Sequence, residues 1–262
     1  MRKPAAAAFV AVVVACAGPA LAGVELLPHK ATYSMSLASS RASSGIAAAT
    51  GAMTYEFADS CDGWTVSNKT TLTLAYAEGE QVDTTWDFVT WESKDGSKYR
   101  FHVRSTREGE VTEEIDGTAS VAPDKKGEVK FLKPDAKTIA LPPGTLFPTE
   151  HTERLLERAR ANENFVSKVV FDGSDAEGPY IVTAVLGRFL AAAATPTPIP
   201  PADSWRMRMA FFPLDSKDET PEYEVGVRYF ENGVATDLVQ DFGNFSLRGK
   251  LDKVEKTTKP DC

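Results

Sequence analysis

Met53-Thr54-Tyr55-Glu56-Phe57 alternates apolar and polar residues, and beyond Asp62-Gly63 the residues Val66, Thr70, Leu72, Leu74 and Tyr76 share one parity of a threonine-rich run. A period of two sends successive side chains to opposite faces of an extended chain, whereas a helix gathers its apolar residues every three or four positions. The stretch therefore predicts two β-strands joined through a turn. The same alternation extends outward. Before it, Tyr33, Met35 and Leu37 alternate with Thr32, Ser34 and Ser36. After it, Trp86 and Phe88 oppose Val89 and Trp91, Tyr99-Phe101-Val103 interleaves with Arg100-His102-Arg104, and Val129 and Phe131 begin another short run. Further strands are predicted over 165–171, 180–186, 205–214, 223–230, 234–242 and 245–254. Turn chemistry separates them: Lys94-Asp95-Gly96-Ser97, Glu108-Gly109, Asp116-Gly117 and Asn232-Gly233 read as hairpin connections, the last as a two-residue turn. The expected class is all-β, mainly antiparallel.

One segment departs from this period. Over 149–162 the sequence predicts a helix, with Pro148 before a Thr149 cap, Glu150 and Glu153 in the first turns and Arg158 and Arg160 near the end, all agreeing with the helix dipole. Its apolar stripe is narrow, Leu155, Leu156 and Ala159, so the helix is expected to lie on a sheet edge or to plug one side of the sheet, largely solvated. The stretch 191–202, with Thr195-Pro196-Thr197-Pro198-Ile199-Pro200-Pro201, lacks the N–H donors a ladder needs and reads as an exposed loop. No repeat or charge run divides the chain, so residues 23–262 are expected to form a single domain.

The first residues address the compartment. Arg2 and Lys3 precede an apolar run from Ala5 to Ala17, followed by Gly18-Pro19 and the small-residue site Ala20-Leu21-Ala22. That is the form of a cleaved signal peptide, residues 1–22, with a run too short to cross a bilayer, and it places the protein in the periplasm. Val13-Val14-Ala15-Cys16 offers the alternative of lipoprotein anchoring through Cys16. Loss of the leader takes the formal net charge from −8 to −10. An acidic chain is repelled by nucleic-acid backbones and anionic membranes, so no nucleic-acid partner is expected, and a patch-poor acidic surface suits a monomer. The two remaining cysteines, Cys61 and Cys262, are the even pair expected of one structural disulfide in an oxidising compartment. A free Cys61 or an intermolecular bridge through Cys262 are the alternatives.

Catalytic signatures are sparse. His29, His102 and His151 stand far apart with no partner at metal-ligand spacing, no glycine-rich phosphate loop follows a strand, and neither metal nor cofactor is expected. Phe171-Asp172-Gly173-Ser174-Asp175 lacks the second glycine of a nucleophile elbow and reads as a polar turn. The carboxylate pairs Glu113-Glu114 and Asp172 with Asp175 read as solvated faces, leaving a peptidoglycan- or lipid-acting hydrolase as a minor alternative. The more suggestive pattern is Trp205, Met207, Met209 and Phe211 on one face of a strand with Arg206 and Arg208 opposite. Methionine beside aromatic rings makes a deformable apolar surface suited to lipid or acylated peptide, and equally an ordinary core face.

Gly51-Ala52-Met53-Thr54-Tyr55-Glu56-Phe57 leading to Cys61-Asp62-Gly63-Trp64, the run Phe171-Asp172-Gly173-Ser174, and a C-terminal cysteine after Phe242-Gly243-Asn244-Phe245 together resemble the EipB family. These are periplasmic cell envelope integrity proteins of Alphaproteobacteria. The resemblance implies an open, spirally wound β-barrel with a helix at its opening, similar to periplasmic lipoprotein-carrier folds, with a disulfide that maps onto Cys61 and Cys262. It implies no catalytic residues. It also implies envelope proteins as partners, a periplasmic tetratricopeptide-repeat protein among them, and a non-enzymatic binding or scaffold role in envelope integrity.

Overall fold

The structure, a computed structural model, describes residues 23–122, 126–192, 201–258 and 260–262. The leader 1–22 with Cys16, and loop positions 193–200, lie outside the described residues.

Eight strands follow one another from the N-terminal side: β1 (His29–Ser40), β2 (Ile46–Asp59), β3 (Gly63–Tyr76), β4 (Gln81–Ser93), β5 (Lys98–Arg107), β6 (Glu110–Val121), β7 (Gly127–Lys133) and β8 (Lys137–Leu141). Helix α1 (Pro148–Arg160) comes next. Six strands complete the chain: β9 (Phe165–Val170), β10 (Tyr180–Leu190), β11 (Ser204–Pro213), β12 (Tyr223–Phe230), β13 (Ala235–Asp241) and β14 (Phe245–Lys256). All fourteen belong to one sheet in the order β8-β7-β6-β5-β4-β3-β2-β1-β14-β13-β12-β11-β10-β9. Each strand-to-strand pairing is antiparallel. The chain thus meanders outward from β1 to β8, crosses through α1 to the opposite free edge at β9, and meanders back until β14 pairs with β1. The sheet is not closed: β8 and β9 are its two edges, and the crossing helix stands between them.

The expected alternation decides which side chains enter the core. Tyr33 and Met35 on β1, Met53 and Phe57 on β2, and Tyr99, Phe101 and Val103 on β5 are all buried. On β11, Trp205, Met207 and Met209 are buried while Arg206 and Arg208 point outward to Asp237 and Glu224. Helix α1 ties two of the three apolar clusters together. Leu155, Leu156 and Ala159 pack with Val182, Ala184, Trp205 and Met207 of the returning arm. Phe147, immediately before the helix, inserts among Tyr99, Phe101 and Phe131 of the outgoing arm, its ring stacked on Tyr99 at 4.9 Å. The helix is therefore a plug, solvated on its outer face only.

Three local expectations are corrected. Thr149 does not cap α1; Phe147 occupies that position, and Pro148, whose fixed φ suits a first helical residue, opens the helix. The Asn232-Gly233 hairpin is longer than two residues, because Phe230 N–H bonds Val234 O and only Gly233 takes positive φ. The two-residue turn with positive φ at both positions occurs instead at Glu108-Gly109, between the paired Arg107 and Glu110. Asp116-Gly117 is not a turn. It lies inside β6, where a Cβ on Gly117 would stand 2.5 Å from the Phe101 ring, so the glycine makes room for an aromatic core rather than for a bend.

Cys61 and Cys262 are bonded, with Cα atoms 5.8 Å apart. The bond joins the turn after β2 to the residues beyond β14, on the side where β14, β1 and β2 lie side by side. Cys61 has φ +68° and its N–H bonds the Asp59 carboxylate at 2.9 Å, which fixes the turn that presents the sulfur.

Candidate functional site

The inner face of β4 reads Trp86, Phe88, Thr90, Glu92, and the four residues meet different surroundings as the strand approaches α1. Glu92 is 2% exposed and lies at the helix start. Its carboxylate accepts the backbone N–H of Thr149 at 2.7 Å and of Glu150 at 2.9 Å. Two of the donors that a helix N-terminus leaves unpaired are thus satisfied by a side chain from a distant strand. Burial pushes the Glu92 carboxyl up to about 7, against the lowering effect of those same N–H groups, and the Glu150 charge adds to the rise. Burial also lowers the pKa of two histidines. His151 falls to about 4, with the Lys168 charge contributing, and the His29 pKa is lowered although its Nδ1 bonds Leu27 O at 2.7 Å.

Between the helix start and the concave wall lies a cavity of about 260 Å³. β4 contributes Trp86, Phe88 and Thr90; β3 contributes Val66 and Asn68; Tyr55 and Phe57 come from β2 and His29 from β1. Pro148, Thr149 and Thr152 of α1 form one side, with Tyr229 and Gln240 from the returning arm and Asp172 from the turn after β9. Trp86 and Phe88 are half-buried, with ring centroids 5.1 Å apart. Among the described residues, no lysine or arginine lines this space. Asp172 is held in place on three sides: its Oδ1 accepts Ser174 N–H at 2.9 Å, its Oδ2 accepts the Tyr223 hydroxyl at 3.3 Å, and its carbonyl accepts the Tyr99 hydroxyl at 2.7 Å. Burial raises its pKa. A second cavity of about 500 Å³ opens along the outer side of α1 toward β9. Its charged walls, Glu150, Arg154, Arg158 and Lys168, include the Glu150–Arg154 ion pair of the helix.

The residues singled out in the sequence go to several places. Ser174 belongs to an Asx turn built by Asp172, as the polar-turn reading expects, and Asp175 accepts the Tyr180 hydroxyl. Glu114 bonds Lys133, and Glu113 accepts the Ser105 hydroxyl. His102 faces Asp116 across β5 and β6 on the exposed side, while His151 is buried within the helix. Trp205, Met207 and Met209 lie in the cluster that contains the α1 stripe, and Phe211 is half-buried, its ring stacked on Tyr223 at 4.2 Å. None of the four lines the 260 Å³ cavity. Among the described residues, no three His, Cys, Asp or Glu side chains converge as metal ligands would. Glu92, Asn68 and Gln240 escaped the sequence reading. The available signal was a carboxylate or carboxamide standing on the apolar parity of a strand.

The family model described as EipB-like matches residues 20–258. The chain is similar to the cell envelope integrity protein EipB of Brucella abortus (strain 2308), at 35% identity over 246 residues, 91% of this chain and 87% of that protein. It is also similar to the crystal structure of a β-barrel-like protein of a domain of unknown function from Brucella abortus. That likeness has a TM-score of 0.83 and 32% identity, covering 90% of this chain and 100% of the other.

Proposed function

The chain belongs to the EipB-like family, and on that premise we propose that it is an exported, non-enzymatic binding protein of the periplasm that supports the integrity of the cell envelope. The cavity between α1 and the concave wall is where it holds its ligand. The observation that carries this reading is the composition of that cavity. It joins half-buried aromatic faces to a few polar groups, as ligand-holding sites do. Its described lining residues include no serine or cysteine, and the Nε2 of its one histidine, His29, is buried without a hydrogen-bond partner, so no hydroxyl or thiol is paired with that ring. Holding rather than bond-breaking is favoured because no histidine-paired hydroxyl or thiol is among the described lining residues. The basic, apolar-cored leader and the Cys61–Cys262 bond support the periplasm. Other envelope proteins are the natural partners of such a molecule.

Deletion of the gene is expected to sensitise cells to detergents and to antibiotics that act on the envelope. Full complementation by the wild-type chain, and loss of complementation by Trp86→Ala at normal abundance, would support the assignment. Unchanged tolerance in the deletion strain would refute it.

A further inference from the structure

We propose that the 260 Å³ cavity is a subsite for one uncharged sugar ring, an inference that rests on the reading of this cavity as the binding site. Four observations narrow the ligand to that chemistry. The first is the charge of the walls: among the described residues no lysine or arginine lines the space, and Asp172 is the acidic one. Phosphate, carboxylate and other anionic groups would enter without a counter-charge and beside a carboxyl group.

The second is the aromatic lining. Trp86 and Phe88 present adjacent half-buried faces, with Tyr55 and Tyr229 also at the cavity wall. Flat aromatic faces bury the C–H face of a ring and leave its edge free for polar contacts.

The third is the pair of carboxamides. The described residues supply the Gln240 carboxamide with no hydrogen-bond partner, and that of Asn68 is engaged only by the Thr70 hydroxyl at 3.3 Å. A carboxamide donates twice and accepts twice, so these two groups suit hydroxyl and acetamido substituents in either sense. An acyl chain would cover the same apolar rings but leave the Gln240 carboxamide without a partner and the Asn68 amide N–H groups unused, which a site built for hydrogen bonding resists.

The fourth is size. The volume falls just below the roughly 300–1,000 Å³ of sites for drug-sized molecules, room for one ring rather than for an extended chain.

The test uses the full mature chain with its disulfide intact. N-acetylglucosamine and its β-linked trimer are the sugar probes, glucuronic acid is the anionic ring, and the dye N-phenylnaphthylamine is the apolar probe. Binding is followed by tryptophan fluorescence and by saturation-transfer NMR. The neutral sugars are expected to bind saturably with Kd around 1 mM, and glucuronic acid at least about tenfold more weakly. Trp86→Ala is expected to abolish the sugar signal. Gln240→Ala, a milder change in a half-buried position, is expected to weaken it about tenfold, corresponding to about 1.4 kcal/mol, with an unchanged melting temperature that excludes misfolding. Absence of saturable sugar binding, or sugar binding indifferent to both substitutions, overturns the proposal. If the dye binds instead and Trp86→Ala removes it, the sugar assignment falls while the cavity remains the binding site.

Discussion

The chain meets itself at two seams that are built differently. At the first, β1 pairs with β14 along most of its length, and the Cys61–Cys262 bond lies on the same side, so the meeting of the first and last strands is a hydrogen-bonded ladder with a covalent tie. At the second, β8 and β9 share no ladder. The gap is spanned by a helix whose start is held by one carboxylate and one aromatic ring. An isolated bridge between Leu146 and Val170 is the main-chain link between the approach to α1 and β9. The contrast teaches where change is cheap. Opening a ladder breaks a row of backbone bonds together, whereas moving a helix docked through side chains disturbs a few contacts. The candidate site has the start of α1 as one wall, and its other described lining residues come from β1 to β5, β12, β13 and the loops beside them rather than from β8 or β9.

Substitutions on each side sharpen that contrast. Phe147→Ala removes a fully buried ring that fixes the helix start to β5, and should cost about 3–5 kcal/mol. For a domain of this size that is a drop of roughly 6–20 °C in melting temperature. Loss should be concentrated in α1 and β9; calorimetry with limited proteolysis of those segments checks both. Cys61→Ser should cost roughly 2–4 kcal/mol, because the bond closes a loop of 201 residues. An equal melting temperature with and without reductant would remove that role.

Glu92 gives a smaller effect that depends on pH. Its carboxyl rises to about 7 in the folded chain from an ordinary 4.5, so between those values the folded state holds a proton that the unfolded state has released. The stability this contributes is complete below about 4.5 and is lost as pH rises through about 7. Glu92→Gln cannot titrate, so its stability relative to the wild type should improve on the order of 1–2 kcal/mol across that window; urea melts at pH 5 and pH 8 measure it. A difference that does not change with pH would mean that Glu92 is ionised throughout. Arg206→Ala, on the outer face and paired with Asp237, should change stability by less than about 1 kcal/mol.

Much of the wall was legible in the chain because alternation is a local property. Tyr33-Met35, Met53-Phe57 and Tyr99-Val103 could be assigned to one face without any knowledge of their neighbours, and the helix was visible in the break of that period. Turn types were less legible. Asp-Gly serves a bend and a close aromatic contact equally well, and only the position of Phe101 decides for Gly117. The pairing of Cys61 with Cys262 was open to arithmetic, since two cysteines remain once the leader is removed. The site was least legible because it is assembled from β1 to β5, β12, β13, α1 and the turn after β9, residues far apart in sequence whose convergence is set by the winding of the sheet. Glu92 shows why: as Trp91-Glu92-Ser93 it reads as an ordinary strand residue, and its role exists only because the first turn of α1 ends above it.

The distinction between the two seams is most directly tested by hydrogen–deuterium exchange of the oxidised chain followed by mass spectrometry. Residues 148–160 and the edge strand β9 are expected to exchange through openings several-fold more frequent than those of β1 and β14, with Glu92→Gln or Phe147→Ala widening that gap. Uniform protection across both seams, or faster exchange in β1 and β14 than in α1, would contradict the account.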